Sequence, residues 1–167
     1  MRNQWLQEVV VTEPARLDLG SIEREIFIDA TPEIVYEVVS DPKHVREWWP
    51  EEADYPVEVG ASGGIRFRDS AGVEKVVALT VVEALPPRTF SFRWAYTPDE
   101  TAPIGRSLLV TFELVPSGTG TLVKFVETGF RQMGWSPARH EETYRDHVSG
   151  WDYFLPRLVA YAGGSGS

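Results

Sequence analysis

The chain has 167 residues, of which 43% are hydrophobic and 12% aromatic. That length suits one domain with a sizeable core, and the composition excludes disorder as the main state. Sixteen basic and 25 acidic residues give a net charge of −9. Because such a field repels phosphate backbones, the charge argues against a nucleic-acid partner.

The sequence contains no cysteine, which removes disulfides, thiolate catalysis and cysteine-ligated metals. A cysteine-free chain is compatible with the reducing cytoplasm, where we expect the protein to act. No apolar run approaches the roughly 18 residues of a membrane-spanning helix. The N-terminus shows no secretory signal, so we expect no membrane span and no export.

Motifs for catalysis and metal binding are weak. Residues 60–64 match the pattern G-x-S-x-G, but a strand rather than a helix is predicted after Ser62, which argues against a nucleophile elbow. His140 and His147 would lie about 10 Å apart along one helix, too far for both to bind one zinc ion. We therefore predict no catalytic residue, metal or cofactor.

The first part of the chain carries one strand and two short helices. Residues 1–20 show no clear pattern, and we interpret them as an N-terminal extension. Alternation over residues 22–29 predicts a strand. Thr31 as the N-cap, with Pro32 at the first helical position, predicts a helix. The same arrangement at Asp41 predicts a second short helix that ends near residues 48–50.

The middle of the chain has a period of two, which is typical of strands. Short connections between these strands predict antiparallel neighbours. The predicted strands span 63–69, 73–85, 89–97, 107–115 and 121–130.

A long helix is predicted from about Pro137 to about Ala162, with an apolar stripe along one face. The fold class is therefore α+β: a curved antiparallel sheet wrapped around a long C-terminal helix, with two short helices after the first strand. We expect one domain over residues 21–162. Residues 163–167 have the composition of a flexible tail or a cloning scar.

Short motifs occur along the chain in the same order as the elements. They are Ala30–Tyr36, Asp41-Pro42, Trp48-Trp49, Val59-Gly60, Gly63–Phe67, Pro86–Arg88, Phe92–Trp94, Glu127–Phe130, Gly150-Trp151, Phe154-Leu155 and Leu158. Together with the order of the elements, these motifs resemble a helix-grip domain of the START/SRPBCC superfamily. The branch that the chain resembles is the C-terminal domain of the activator of the heat-shock protein 90 ATPase. The resemblance implies a cavity between sheet and long helix, but no single function, since such domains include lipid carriers, cyclases and co-chaperones.

One predicted strand carries more aromatic side chains on one face than packing a single helix requires. Core filling accounts for such a stripe, and so does a pocket for a flat, greasy ligand, with Trp94, Tyr96 and Trp151 as its walls. The stripe consists of Phe90, Phe92, Trp94 and Tyr96. We expect the pair Trp48-Trp49 to close the short helices onto the sheet.

Polar groups also fall within the apolar stripes. His140, Tyr144 and His147 lie on the inward face of the long helix, where they bond strand carbonyls or orient a ligand. Alternation points Glu127 inward too. It pairs with Tyr144 or a histidine, or it forms a salt bridge with Arg66 or Arg93.

These features predict a domain that binds a small, largely apolar or aromatic molecule without catalysis. One alternative is a cyclase-like or hydrolase-like enzyme that uses Glu127, His147 or Tyr144 as general acid and base. Others are a chaperone-interacting module and a homodimer formed through an uncovered sheet edge. The predicted ligand-binding residues are Phe92, Trp94, Tyr96, Glu127, His140, Tyr144, His147 and Trp151.

Overall fold

The computed structural model describes residues 19–68, 71–95 and 107–165. The N-terminal extension predicted over residues 1–20 lies outside these ranges, apart from Leu19 and Gly20. The elements are β1 (Ser21–Ile28), α1 (Pro32–Ser40), α2 (Pro42–Trp48), β2 (Glu52–Asp54), β3 (Ser62–Arg68), β4 (Glu74–Leu85), β5 (Thr89–Ala95), β6 (Leu108–Ser117), β7 (Gly120–Thr128), a 3-10 helix (Phe130–Met133) and α3 (Pro137–Ser165).

The strands form one antiparallel sheet in the order β1-β7-β6-β5-β4-β3-β2. Helix α3 packs against β1, and α1 and α2 both contact α3. The predicted α+β helix-grip fold is therefore confirmed. No helix within the described ranges is both long enough and apolar enough to cross a membrane.

Both short helices begin as predicted. Thr31 caps α1 by accepting a hydrogen bond from the backbone N–H of Ile34 over 3.3 Å. Asp41 caps α2 by accepting one from the N–H of Lys43 over 2.9 Å. A proline follows each cap, and because it lacks an N–H, it leaves one fewer donor unsatisfied.

The register of the sheet brings a carboxylate into the interior. Ile22 of β1, Glu127 of β7, Val110 of β6 and Phe92 of β5 lie opposite one another across the strands. Residues that are directly opposite point to the same face of a sheet. All four side chains are buried on the face that α3 covers.

Some elements differ from the prediction. The short edge strand β2 pairs with β3, although its acidic residues have low strand propensity. The chain turns into a 3-10 helix at Phe130, where a strand was predicted to continue, because Gly129 adopts a left-handed φ of 109°. Helix α3 continues beyond Ala162 to Ser165.

Gly63 tests the close approach of β2 to β3. A methyl group at Gly63 would overlap the carbonyl oxygen of Asp54 and lie 2.6 Å from Cβ of Tyr55, whereas one at Gly64 would lie 3.6 Å from its nearest neighbour, the oxygen of Val77. We expect Gly63→Ala to lower the free energy of unfolding by about 1–3 kcal/mol through overpacking. The matched Gly64→Ala should change it by less than about 0.5 kcal/mol. Equal effects of the two variants in urea unfolding would contradict this packing.

Candidate functional site

The centre of the site is the carboxylate of Glu127, which is fully buried at 0% exposure. The indole N–H of Trp94 donates a hydrogen bond to its Oε2 over 2.8 Å. The indole N–H of Trp151 donates to its Oε1 over 2.9 Å. Nδ1 of His147 lies 2.9 Å from the same Oε1. The carboxylate therefore joins two strands of the sheet to α3.

Local geometry explains why these groups meet. Trp94 follows Phe92 by two residues on β5 and so faces the same side of the sheet as Glu127. His147 and Trp151 are four residues apart on α3, which places both side chains on one face of the helix. The alternation of side chains along the strand and their spacing along the helix therefore direct all three groups toward the same carboxylate.

The chemistry of the partners is complementary. A carboxylate offers only acceptors, and an indole offers only its N–H donor. Nδ1 is the ring nitrogen of His147 that faces this carboxylate. The alternative salt bridge to Arg66 or Arg93 is not the interaction that Glu127 makes. Strand alternation places both arginines on the opposite face of the sheet.

A second feature is a cluster of rings around Trp49, which we call the Trp49 cluster: Trp49, Phe67, Phe92, Trp94 and Trp151. The Trp49 ring is tilted by only 36° to Phe92 and 35° to Trp151, at centroid distances of 5.5 and 5.0 Å. It meets Phe67 and Trp94 edge-on, at 5.7 and 5.1 Å. The ring of Trp49 therefore occupies the interior beside Trp94 and Trp151.

The neighbouring tryptophans have different roles. Trp48 closes α2 onto the core as predicted, since its indole N–H donates to the carbonyl of Val38 over 3.0 Å and its ring packs edge-on against Phe112. Trp49 follows the end of α2 with non-helical backbone angles, φ −122° and ψ −93°. Sequence reasoning missed its place among the rings. The sequence carried no signal for it, because the position of this ring depends on the backbone angles with which the chain leaves α2.

The structure brings most of the predicted site residues together and separates two others. Phe92, Trp94, Glu127, His147 and Trp151 meet around the carboxylate and the Trp49 cluster. Nε2 of His140 lies 2.8 Å from the carbonyl oxygen of Leu19, and the hydroxyl of Tyr144 donates to the carbonyl of Ser21 over 2.7 Å. The sequence left two interpretations for these helix residues, bonding to carbonyls or orienting a ligand. Both observed contacts agree with bonding to backbone carbonyls. Tyr96 lies outside the described residues.

An open groove is present elsewhere, between the edge strand β1 and α3. Its volume is about 400 Å³, and it is mainly apolar with an ion pair between Arg24 and Asp152 at 2.9 Å. The Trp49 cluster instead contacts β3 and β5, so the groove is a separate feature. Its walls are Arg24, Ile26, Phe27, Asp152, Leu155, Pro156 and Val159.

Within the described ranges, no three His, Asp or Glu side chains are grouped so that they could hold a metal ion. Ser62 lies at the start of β3, and its hydroxyl is 2.8 Å from that of Thr80. A strand follows Ser62, not the helix that a nucleophile elbow requires.

The sheet, the long helix and the buried network define a helix-grip domain of the START/SRPBCC type. The model of the family described as "Activator of Hsp90 ATPase homolog 1-like protein" matches residues 29–163, and the chain belongs to that family. The resemblance inferred from the sequence is therefore confirmed. No curated protein matches the sequence.

Solved structures share the fold at low identity. Protein CV1439 from Chromobacterium violaceum is 20% identical, with 86% of this chain and 97% of that one covered and a TM-score of 0.69. Protein MLL2253 from Mesorhizobium loti is 23% identical, with coverage of 84% and 95% and a TM-score of 0.64. The Aha1 dimer from Colwellia psychrerythraea is 22% identical, with coverage of 83% and 92% and a TM-score of 0.58. At these identities the likeness concerns the fold alone.

Glu127→Gln tests the carboxylate network. The amide nitrogen would present N–H groups to at least one of the surrounding donors, leaving buried groups unsatisfied. We expect the free energy of unfolding to fall by about 2–3 kcal/mol. The exposed Glu142→Gln on α3 removes a carboxylate without this network and should change it by less than about 0.5 kcal/mol. Urea unfolding of both variants decides the point, and a loss below about 0.5 kcal/mol for Glu127→Gln would contradict the network's role.

Proposed function

We propose that the protein binds a small, flat and largely apolar molecule at the Trp49 cluster, between the inner face of the sheet and α3, and performs no chemistry on it. The observation that carries this proposal is the position of the Trp49 ring. A residue that follows the last turn of α2 has its ring inserted among five aromatic rings. The surrounding rings thus already accommodate a flat aromatic group.

The walls around Trp49 suit such a guest. The Trp48 ring is stacked on that of Trp49 at 21°, the rings of Phe92 and Trp151 are tilted by 36° and 35°, and those of Phe67 and Trp94 lie edge-on. Stacked and edge-on arrangements are those that aromatic pairs favour. The hydrogen bonds to Glu127 fix the orientation of Trp94 and Trp151. Rigid walls lower the entropic cost of binding.

Binding at this place requires that the guest displaces the Trp49 ring. The ligand then packs against the surrounding rings in place of the Trp49 indole, which has moved out. The apparent affinity falls with the fraction of molecules in which the ring has moved out. Removing the Trp49 ring should therefore tighten binding.

The arrangement of the polar groups supports binding without catalysis. A general base must come within hydrogen-bond distance of the proton that it removes. Both oxygens of Glu127 already accept hydrogen bonds from indoles, and the side chain is fully buried. The hydroxyl of Tyr144 is engaged with the backbone of β1. Glu127, Tyr144 and Nδ1 of His147, which are the groups that the enzyme alternative would use, are therefore already engaged within the protein.

The test uses naphthalene, whose bicyclic ring is close in size to an indole. We expect naphthalene to raise the thermal unfolding midpoint of the wild-type protein in a concentration-dependent way. Trp49→Ala should bind it at least about tenfold more tightly, a gain of about 1.4 kcal/mol. Val159→Lys, which places a charge in the open groove instead, should leave the affinity unchanged.

Two results would contradict this proposal. One is the absence of any stabilisation of the wild-type protein by naphthalene up to its solubility limit. The other is loss of binding in Val159→Lys with no change in Trp49→Ala, which would assign the ligand to the groove.

A second candidate function is interaction with a chaperone through the protein surface. The family model, which covers residues 29–163, supports it through its description as an activator of the Hsp90 ATPase. On this account the purified chain raises the ATPase rate of an Hsp90 chaperone, and the buried substitution Trp49→Ala leaves that stimulation intact. An ATPase rate that the chain does not change would eliminate this candidate.

A further inference from the structure

Tyr36 on α1 carries a polar atom without a partner. The residue is only 7% exposed, and its hydroxyl is the one buried side-chain oxygen or nitrogen that makes no hydrogen bond in the part of the chain that the structure describes. Leaving such a group unsatisfied destabilises a fold by about 1–3 kcal/mol. A cost of this size calls for a physical reason.

Three other tyrosine hydroxyls in the described part of the chain have hydrogen-bond partners. Tyr55 donates to the carbonyl of Ser40 over 2.8 Å, and Tyr144 donates to that of Ser21 over 2.7 Å. The hydroxyl of Tyr161 lies 2.8 Å from Nδ1 of His44. The fold therefore provides partners for phenols elsewhere, which makes Tyr36 an exception.

The position of Tyr36 connects it to the Trp49 cluster. Helix α1 packs on the inner face of the sheet against β5 and β6. The Tyr36 ring meets Phe90 edge-on at 6.3 Å, and Phe90 lies 6.0 Å from Phe92, which in turn contacts Trp49. Phe90 and Phe92 are two residues apart on one face of β5, about 7 Å along the strand. The Tyr36 ring is therefore connected to Trp49 through two intervening rings, those of Phe90 and Phe92.

The chemistry of the hydroxyl indicates what it binds. Burial raises the pKa of Tyr36 above its ordinary value, so at neutral pH the group keeps its hydrogen and can donate it. An oxygen on a largely apolar guest needs only the single donor that Tyr36 supplies.

We propose that the hydroxyl of Tyr36 is the polar contact of the binding site and that the ligand is a flat apolar molecule bearing a carbonyl-type acceptor oxygen. This inference rests on the proposed function and adds the class of ligand to it. The carboxylate of Glu127 cannot take this role, because a carboxylate offers only acceptors and would repel such an oxygen. Tyr36 thus determines which ligand binds, while Glu127 fixes the orientation of the indole rings beside that ligand.

The experiment compares two ligands and two variants. Coumarin and naphthalene are flat bicyclic molecules of similar size, but only coumarin carries acceptor oxygens. We expect Tyr36→Phe to weaken coumarin binding about tenfold, equivalent to about 1.4 kcal/mol, and to change naphthalene binding by less than about twofold. Calorimetric titration of both ligands against both proteins measures the difference.

The unliganded proteins provide an independent readout. Tyr36→Phe removes an unsatisfied hydroxyl and should keep or raise the unfolding midpoint. The matched Tyr55→Phe removes a hydroxyl that is bonded to Ser40 and should lower that midpoint. A drop in Tyr36→Phe as large as that in Tyr55→Phe would show that the hydroxyl has a partner in the free protein and would overturn the inference.

The binding results separate the two proposals. If coumarin and naphthalene both fail to bind the wild-type protein, the proposed function fails and this inference fails with it. If both bind and Tyr36→Phe weakens neither, or both equally, the proposed function stands and the role of Tyr36 is refuted.

Discussion

The carboxylate of Glu127 is the group on which the arrangement of the interior depends. It accepts hydrogen bonds from two indoles and contacts one imidazole, and these partners come from β5 and α3. A buried carboxylate is tolerated only when its acceptors are satisfied. The orientation of Trp94 and Trp151 is therefore tied to the position of α3 on the sheet, and the same bonds that hold the helix also set the walls of the candidate site.

Two residues near these walls differ from the rest of the interior. The ring of Trp49 follows the end of a short helix and is held among five other rings. The hydroxyl of Tyr36 is buried without a partner among the described residues. Natural folds depart from local optimisation mainly at functional sites. The displaceable ring and the unsatisfied hydrogen-bond donor are both packed against neighbouring rings of β5. Both features support the proposal that a ligand binds here.

Much of the fold and half of this site could be predicted from the sequence. Helix caps at Thr31 and Asp41, and the alternation of the strands, are local signals that the structure preserves. Alternation also predicted that Glu127 points inward, where the helix period places His147. The role of Trp49 was missed because it depends on how the chain leaves α2, which no periodicity records. The lack of a hydrogen-bond partner for Tyr36 could not be predicted for a related reason, because it can be recognised only when the positions of all neighbouring residues are known.

The central claim is that Glu127 fixes the orientation of Trp94 and Trp151, while the ring of Trp49 moves out when the ligand binds. Nuclear magnetic resonance of the indole N–H groups, assigned by single Trp→Phe substitutions and recorded during a titration with coumarin, tests it most directly. The account predicts that the Trp49 signal moves most, while the N–H groups of Trp94 and Trp151 stay protected from exchange with water. Rapid exchange of those two groups in the free protein, or a titration that leaves the Trp49 signal in place, would contradict it.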